Sequence, residues 1–357
     1  MQLGVCVASH IGDIDYAVRA EQLGYQRLWF ADSQMLWSDC YATLALAADR
    51  TSRIGLGTGV AVTGTRPAAV TAASIATINA IAPGRTFLGV GAGNTAMRVM
   101  GRKPQRIAEF DRYLEELRPL LRGDEAEVRF ADSSTPIRHI MPERGFANFV
   151  DPIPLYVSGF GPRSLALAGR HGDGAVFGLP ANPQVLERLL GFVREGAEAA
   201  GRRLQRRSFH TTALTTISIL DAGETADSPR IRAECGAFAM ATLHYAYDQH
   251  RQFGQPPPSV VADIWEDYCA LLDQVPAQRL HQRIHAGHNC WVLPEEERFL
   301  SARLIEATCM VGSRDQLIDR LGALHAAGLD EVMILPAFDP RYEVLERVGR
   351  ELLPALS

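Results

Sequence analysis

The sequence predicts an α/β fold: a (β/α)8 TIM barrel with a long insertion between strand 7 and helix 8. Three observations predict it. Eight short apolar, β-branched runs alternate with segments of helical spacing, the pattern of parallel strands covered on both faces. No shift of composition divides the 357 residues, so the chain reads as one domain over 1–357, with 221–314 as a helical insertion or lid within it. Two strand-like runs, Ile54–Val62 and Thr86–Val90, dissolve into glycine at their carboxyl ends, which is where ligands lie in parallel α/β folds. Glycine there lets a flat ligand approach backbone directly. A doubly wound sheet is the competing arrangement, because a strand count from one sequence can miss by one.

Leu3–Ala8 is the first strand, followed by a helix over Asp13–Leu23 that Gly24 stops. Arg27–Ala31 is the second, with a helix over Tyr41–Arg50. Ile54–Val62 and Thr86–Val90 are the third and fourth, joined by a helix over Pro67–Ile81. Arg106–Leu121 is strongly amphipathic, and Gly123–Asp151, with its prolines, reads as an excursion with short strands. Pro154–Ser158 is the fifth strand, with its helix over Arg163–Gly169. Gly174–Phe177 is the sixth, with a helix over Pro183–Ala200. His210–Leu220 is the seventh, and Glu331–Leu335 the eighth, closed by a helix over Tyr342–Leu353. The insertion Asp221–Arg314 holds helical stretches at Pro229–Tyr247 and Val260–Leu272, a Pro256-Pro257-Pro258 break and a His-rich turn, His281–His288. Long insertions after barrel strands usually cover the active face.

Composition excludes several classes. A formal charge of −5, with 47% hydrophobic and 22% charged residues, leaves no general basic footprint, so no nucleic-acid partner is expected. The cluster Arg202-Arg203-Leu204-Gln205-Arg206-Arg207 reads as a solvated helix end. No run approaches the ~18 apolar residues of a membrane span. Met1–Val5 leads straight into a strand with no leader pattern. Six cysteines without a Cys-x-x-Cys pair read as reduced thiols. The expectation is a cytoplasmic protein with no membrane partner.

Several motifs bear on chemistry. Gly91-x-Gly93-x-x-Ala96 matches a relaxed dinucleotide fingerprint, but that motif opens a first βαβ unit, and here it ends the fourth strand. Ser158-Gly159-Phe160-Gly161-Pro162-Arg163 joins a strand to a helix. Its exposed N–H groups and the helix N-terminus suit a phosphate, against the alternative of an ordinary tight turn. His281, His285, His288 and Cys290 resemble a metal set, yet no carboxylate is spaced to match, and no metal is expected. The first strand lacks the His-x-His of metal-dependent barrel hydrolases, which argues against a hydrolase.

His10, just past the first strand, and Asp32, just past the second, are the candidate catalytic residues; for Asp32 an N-cap role is the alternative. Trp37, His244, Tyr245, Tyr247, His281, His285, His288 and Trp291 mix aromatic and imidazole groups. With Trp37, His288 and Trp291 as substrate-binding candidates, such a lining favours a neutral, moderately apolar or heteroaromatic small molecule. The alternative is that these residues pack the insertion's own core.

Trp29-Phe30-Ala31-Asp32, the runs 53–60 and 84–91 and their continuation to Pro104 resemble the bacterial luciferase-like flavin monooxygenases. Within that superfamily they are most similar to the branch typified by methylenetetrahydromethanopterin reductase. The 155–178 block (LYVSGFGPRSLALAGRHGDGAVFG) resembles its phosphate-turn region. The resemblance implies a (β/α)8 barrel holding FMN or its 5-deazaflavin analogue at the strand carboxyl ends, and a non-prolyl cis peptide at Gly59–Val60. Carried over by position, Thr58, Gly59 and Val60 back the flavin ring, and Asn94 meets its polar edge. Ser158, Gly159, Phe160, Gly161, Gly178 and Arg98 hold its phosphate. The branch often has Asp where Asn94 stands.

The leading function this implies is a two-component monooxygenase. Reduced FMN, supplied by a separate and transiently associated flavin reductase, is used with O2 to oxygenate a small organic substrate, with His10 tuning protonation. The alternative is hydride transfer with the deazaflavin coenzyme F420, with Asp32 as a polar or proton-relay group. Arg98, Arg102, Lys103 and Arg106 would then form a basic groove for its oligoglutamate tail. A non-catalytic flavin-binding protein is the third reading. The resemblance also implies a homodimer or homotetramer, with the small-residue helix 68–80 as a candidate interface.

Overall fold

The computed structural model describes residues 1–130 and 133–356. Eight parallel strands close into a barrel: β1 (Gln2–Val7), β2 (Arg27–Phe30), β3 (Gly55–Val62), β4 (Thr86–Gly91), β5 (Leu155–Ser158), β6 (Gly174–Gly178), β7 (His210–Thr215) and β8 (Glu331–Ile334). Neighbours in the chain are neighbours in the barrel, and β8 closes it by pairing with β1. The doubly wound alternative is thereby set aside. β4 is buried along its whole length, which explains its continuous apolar run.

Capping residues start the surrounding helices. Asp39 accepts from the Tyr41 and Ala42 amides at 3.0 Å to open Cys40–Arg50. Asn182 accepts from Val185 at 3.0 Å to open Pro183–Ala199. Helix Ala68–Ile81 buries Ala72, Ile75 and Ala76 against the barrel and turns Val70 and Ile81 outward.

The predicted seventh strand is two strands. His210–Thr215 stays in the barrel, and Ile217–Ile219 turns away to pair with Met310–Gly312, a strand that sequence reading did not separate. This second pairing is the stem of the insertion. Above it, helices Pro229–Phe253, Trp265–Leu272, Leu280–Ile284 and Ala302–Thr308 enclose an apolar core of their own, including Ile231, Leu243, Tyr268 and Ile305. The chain rejoins the barrel at helix Arg314–Ala326, which leads into β8. The 123–151 excursion carries one hairpin, Ala126–Phe130 against Ser133–Ile137. Among the described residues no helix is long and apolar enough to cross a membrane. All six cysteines are free.

The barrel interior is layered. At its amino-terminal end Glu331, fully buried, accepts from Arg27 Nη1 at 3.0 Å, Trp29 Nε1 at 3.0 Å and Thr212 Oγ1 at 3.1 Å, and lies 2.8 Å from His210 Nε2. Next come the rings of Trp29, Phe87 and Tyr156, with centroids 4.4 to 5.6 Å apart. Cys6, Ala31, Val176, Met333 and Leu335 complete this inner core and are also exposed to the cavity at the other end. The plug therefore closes one end and leaves the carboxyl end open for a ligand.

Candidate active site

The strand carboxyl ends and the insertion enclose a cavity of about 1110 Å³, with that apolar group as its floor. One wall comes from β3. Its Gly59–Val60 peptide is cis, and its register against β4 shifts between Thr58 and Ala61. Gly59 and Val60 line the cavity. Thr58 lies behind them, fully buried, its hydroxyl donating to Gly89 O at 2.6 Å.

Gly91 and Gly93, at the end of β4, line the cavity as the sequence suggested, and the glycines here have a second role. A Cβ on Gly89 would lie 2.3 Å from Thr58 O and 3.0 Å from Val60 Cγ1, and one on Gly91 2.9 Å from Val60 Cγ2. Gly93, at φ 81°, would bring a Cβ within 2.4 Å of Val62. These glycines make room for the β3 bulge, and Val60 presents the surface that a flat ring would meet.

Asp32 lines the cavity and is 4% exposed. Its Oδ2 accepts from Val62 N at 3.1 Å and Arg66 Nη1 at 2.6 Å, and its Oδ1 from Gln34 at 2.5 Å. Both oxygens are thus engaged by the protein itself, and Asp32 anchors the end of β3. The N-cap role weighed for it falls to Asp39, which Arg66 Nη2 also reaches at 2.8 Å.

His10 is not brought into this cavity. The loop after β1 turns outward, with Asp13 N donating to His10 O at 3.0 Å and Ile11 N to Ser38 Oγ at 3.1 Å. The exposed ring lies 5.6 Å from that of Phe338 and borders a side chamber next to this cavity.

Asn94 opens a short helix, Asn94–Arg98, that sequence reading missed. Its Oδ1 accepts from Arg98 Nε at 2.7 Å, which leaves Nδ2 as the donor toward a ligand. Arg98 Nη2 donates to Gln252 at 2.7 Å, and Nη1 lies 3.6 Å from Asp248. It lines the cavity and also ties the barrel to the helix of the insertion.

The turn after β5 is built as the sequence suggested, with Gly159 N donating to Val176 O at 3.0 Å. A Cβ on Gly159 would lie 2.8 Å from Leu165 N, whereas Gly161 has nothing within 4 Å. Ser158, Gly159, Phe160, Gly161, Arg163 and Ser164 line the cavity at the amino terminus of helix Pro162–His171. The first amides of that helix lack intrahelical acceptors and favour an anion. Gly178 lies outside the lining, next to the Phe160 ring. Lys103, Arg106 and Arg163 also border the cavity, and the nearby Glu109 carboxylate accepts from Arg106 N at 3.0 Å.

From the insertion, Tyr245, Gln249 and Gln252 face the cavity. Their i, i+4, i+7 spacing on helix 229–253 is a signal that sequence reading did not use. Tyr245 OH lies 2.6 Å from Thr95 Oγ1, which in turn is 3.3 Å from His288 Nε2. His244, Tyr247 and His285 pack inside the insertion instead: His244 lies 3.2 Å from Glu296, and His285 3.3 Å from Asp248. His281 lies against Gly101. Among the described residues, only Asp111, Glu115 and His171 have ligand atoms grouped as for a metal, and Arg170 already pairs with both carboxylates.

Trp37 and His288 line the main cavity and also a side chamber of about 250 Å³. Trp291, 54% exposed, borders the chamber and not the main cavity, as does His10. Burial, then the neighbouring His285 and His244, holds the His288 pKa well below 6.5, so the ring is neutral. As the pH falls below 6.5 the unfolded chain takes up a proton that this ring refuses. Stability is therefore expected to decline with acidification from that point, and His288→Phe to flatten the decline. Denaturant midpoints at pH 7.5 and about 5.5 check this.

A family model described as luciferase-like monooxygenase matches residues 13–331. The 5,10-methylenetetrahydromethanopterin reductase of Methanolobus tindarius is 32% identical over 196 residues, 52% of this chain and 56% of that protein. An F420-dependent glucose-6-phosphate dehydrogenase of Amycolatopsis mediterranei (strain U-32) is 30% identical over 207 residues, 54% of this chain and 61% of that protein. The matches thus span less than two thirds of either relative. The coenzyme F420-dependent tetrahydromethanopterin reductase of Methanopyrus kandleri has the same fold, with a TM-score of 0.68 over 100% of this chain and 99% of that one at 21% identity.

Proposed function

The chain belongs to the luciferase-like monooxygenase family and is an enzyme, an oxidoreductase; from that premise we propose that it transfers a hydride between the deazaflavin coenzyme F420 and a small organic substrate. The observation that carries this choice is the cationic mouth of the cavity. Lys103, Arg106 and Arg163 line it, and of the two carboxylates that also line it Asp32 is paired with Arg66 and Glu109 accepts from Arg106 N. A cofactor with a phosphate and an oligoglutamate tail matches such a mouth better than FMN does. The relative named as F420-dependent supports the same reading.

The residues present fit such a cofactor. Val60 offers a flat apolar support, kept in place by β4 glycines that no Cβ could replace. Asn94 Nδ2 offers a donor to a ring edge, and the first turn of helix Pro162–His171, next to the Ser158–Gly161 turn, offers amides to a phosphate. Bound deazaflavin supplies a carbon that donates or accepts hydride and does not activate O2 productively. Asp32 holds the bulge, Arg98 fixes the lid helix, and Tyr245, Thr95 and His288 present polar atoms to the substrate side.

Titrating the protein with FMN and with the deazaflavin, followed by fluorescence, is the deciding experiment. Tight binding of the deazaflavin is expected; binding of FMN alone would overturn the reading. Changing Lys103→Glu together with Arg106→Glu is expected to weaken deazaflavin binding about tenfold at low ionic strength and to change FMN binding far less. The difference should fade at high salt.

The second reading is the two-component monooxygenase, with reduced FMN from a separate reductase and O2 as co-substrate. The apolar floor of Cys6, Val176, Met333 and Leu335 favours it, because oxygen transfer needs a site from which water is excluded. Oxygenation of a substrate in step with consumption of reduced FMN would establish it.

A further inference from the structure

We propose that the 123–151 excursion is a self-association surface: its segment 140–150 docks on the same segment of a second copy of this chain, related by a two-fold axis. The inference is independent of the cofactor and of the reaction.

The segment holds four large hydrophobic residues in the open. Ile140 is 83% exposed, Met141 51%, Phe146 62% and Val150 92%. Single exposed apolar residues are ordinary, but four on one short segment are not. At ~200 Å² for a fully open side chain of this size, they present roughly 550 Å² of apolar surface. That is the upper end of the largest apolar patch on a monomer, and about two thirds of one partner's share of a standard interface.

The exposure is not that of a loose loop. Asn148 N donates to Ala76 O at 2.9 Å, and the buried Asn79 donates from Nδ2 to Asn148 O at 3.0 Å and Asp151 O at 2.9 Å. Asn148 returns a bond from Nδ2 to Asp151 Oδ2 at 2.8 Å, and its Oδ1 accepts from Val150 N at 3.0 Å. The same stretch turns Ala147 and Phe149 toward the barrel core. Phe146 and Val150 are therefore held outward on a fixed backbone, and a surface ordered before docking loses less entropy on binding.

Charge selects the occupant. Arg138 and Arg144 are balanced by Glu143 and Asp151. Glu143 and Arg144 have no ion-pair partner among the described residues. Neighbouring free charges of opposite sign make a surface complementary to itself, since a two-fold rotation brings the acid of one copy toward the base of the other. An anionic membrane calls for an excess of cations, and a strongly charged protein partner for one sign; this segment has neither. Its place in the fold also suits association. Asn79 lies near the end of helix Ala68–Ile81, which leads into β4, and the excursion leads into β5. The surface thus lies at the amino-terminal end of the barrel, away from the cavity, and docking leaves the mouth open.

The test is the mass of the full chain in solution, by sedimentation equilibrium at micromolar concentration. The parent is expected at twice 39.1 kDa or a higher even multiple. Phe146→Glu combined with Val150→Glu is expected to halve the parent mass with circular dichroism unchanged, and Ile140→Lys replaces it should that variant fail to fold. Val70→Glu, at the other end of helix Ala68–Ile81, separates this surface from the helix itself. The proposal is overturned by a monomeric parent, by variants of the segment that keep the parent mass, or by dissociation in Val70→Glu alone. A mass that keeps climbing with concentration would mean head-to-tail docking and overturn the two-fold pairing. A monomeric parent that sediments with phosphatidylglycerol vesicles would assign the segment to a lipid surface instead.

Discussion

Glu331→Ala is expected to lower the stability of the fold by about 3–5 kcal/mol, the cost of removing one partner from a buried ionic cluster. Glu331 is fully buried at the amino-terminal end of the barrel and faces Arg27, His210, Trp29 and Thr212. Without the carboxylate, Arg27 and His210 lie 2.7 Å apart with no anion between them. Burial alone would raise the Glu331 pKa; the His210 contact, the Arg27 charge and the Trp29 hydrogen bond outweigh it, and the net shift is downward from 4.5. Its stabilisation is therefore present above pH 4.5 and lost as the pH falls through the depressed value. Glu331→Gln should keep the packing, cost less than the alanine variant, and flatten acid denaturation. Denaturant midpoints for the three proteins between neutral and acidic pH check both statements. An alanine variant within about 0.5 kcal/mol of the parent would remove the plug from the account of stability.

Gly89→Ala should disable cofactor binding while leaving the barrel folded. The added carbon would lie 2.3 Å from the Thr58 carbonyl, 3.0 Å from Val60 and 3.1 Å from Trp29. A backbone oxygen cannot swing aside as a side chain can, so β3 must move, and Val60 is the surface the ring would rest on. Overpacking of this kind costs about 1–3 kcal/mol. Because the displacement falls on the support itself, cofactor affinity should drop at least about tenfold with circular dichroism unchanged. Gly161→Ala is the contrast: its Cβ meets nothing within 4 Å, and stability should change by less than about 0.5 kcal/mol. Fluorescence titration of both variants with the cofactor separates the two effects. Equal affinities would mean that the β4 glycines have no bearing on the support.

Local pattern was enough for the parts of this protein that are properties of single segments. The apolar runs marked the eight barrel strands because burial on both faces is written along each strand itself. The turn after β5 was legible for the same reason, since its glycines and the following helix are contiguous. The Gly59–Val60 cis peptide came from resemblance rather than from any local rule. The break at Thr216 was not legible, because both halves of that run are equally apolar and differ only in their partner strands.

What tertiary structure alone decided is the identity of each side chain's partner. Arg98 reads as an anion-binding residue, and the fold gives it Gln252 and Asp248, some 150 positions away, as further partners. Asp32 reads as a catalytic candidate or an N-cap, and the fold sets Arg66 and the Val62 amide on its carboxylate. The side chamber draws its walls from the loops after β1, β2 and β8 and from the His-rich turn of the insertion, so no single segment contains it. Periodicity records which face of an element avoids water. It carries no information about which remote charge or ring meets that face, because those contacts are set by the closure of the barrel and the docking of the insertion on it.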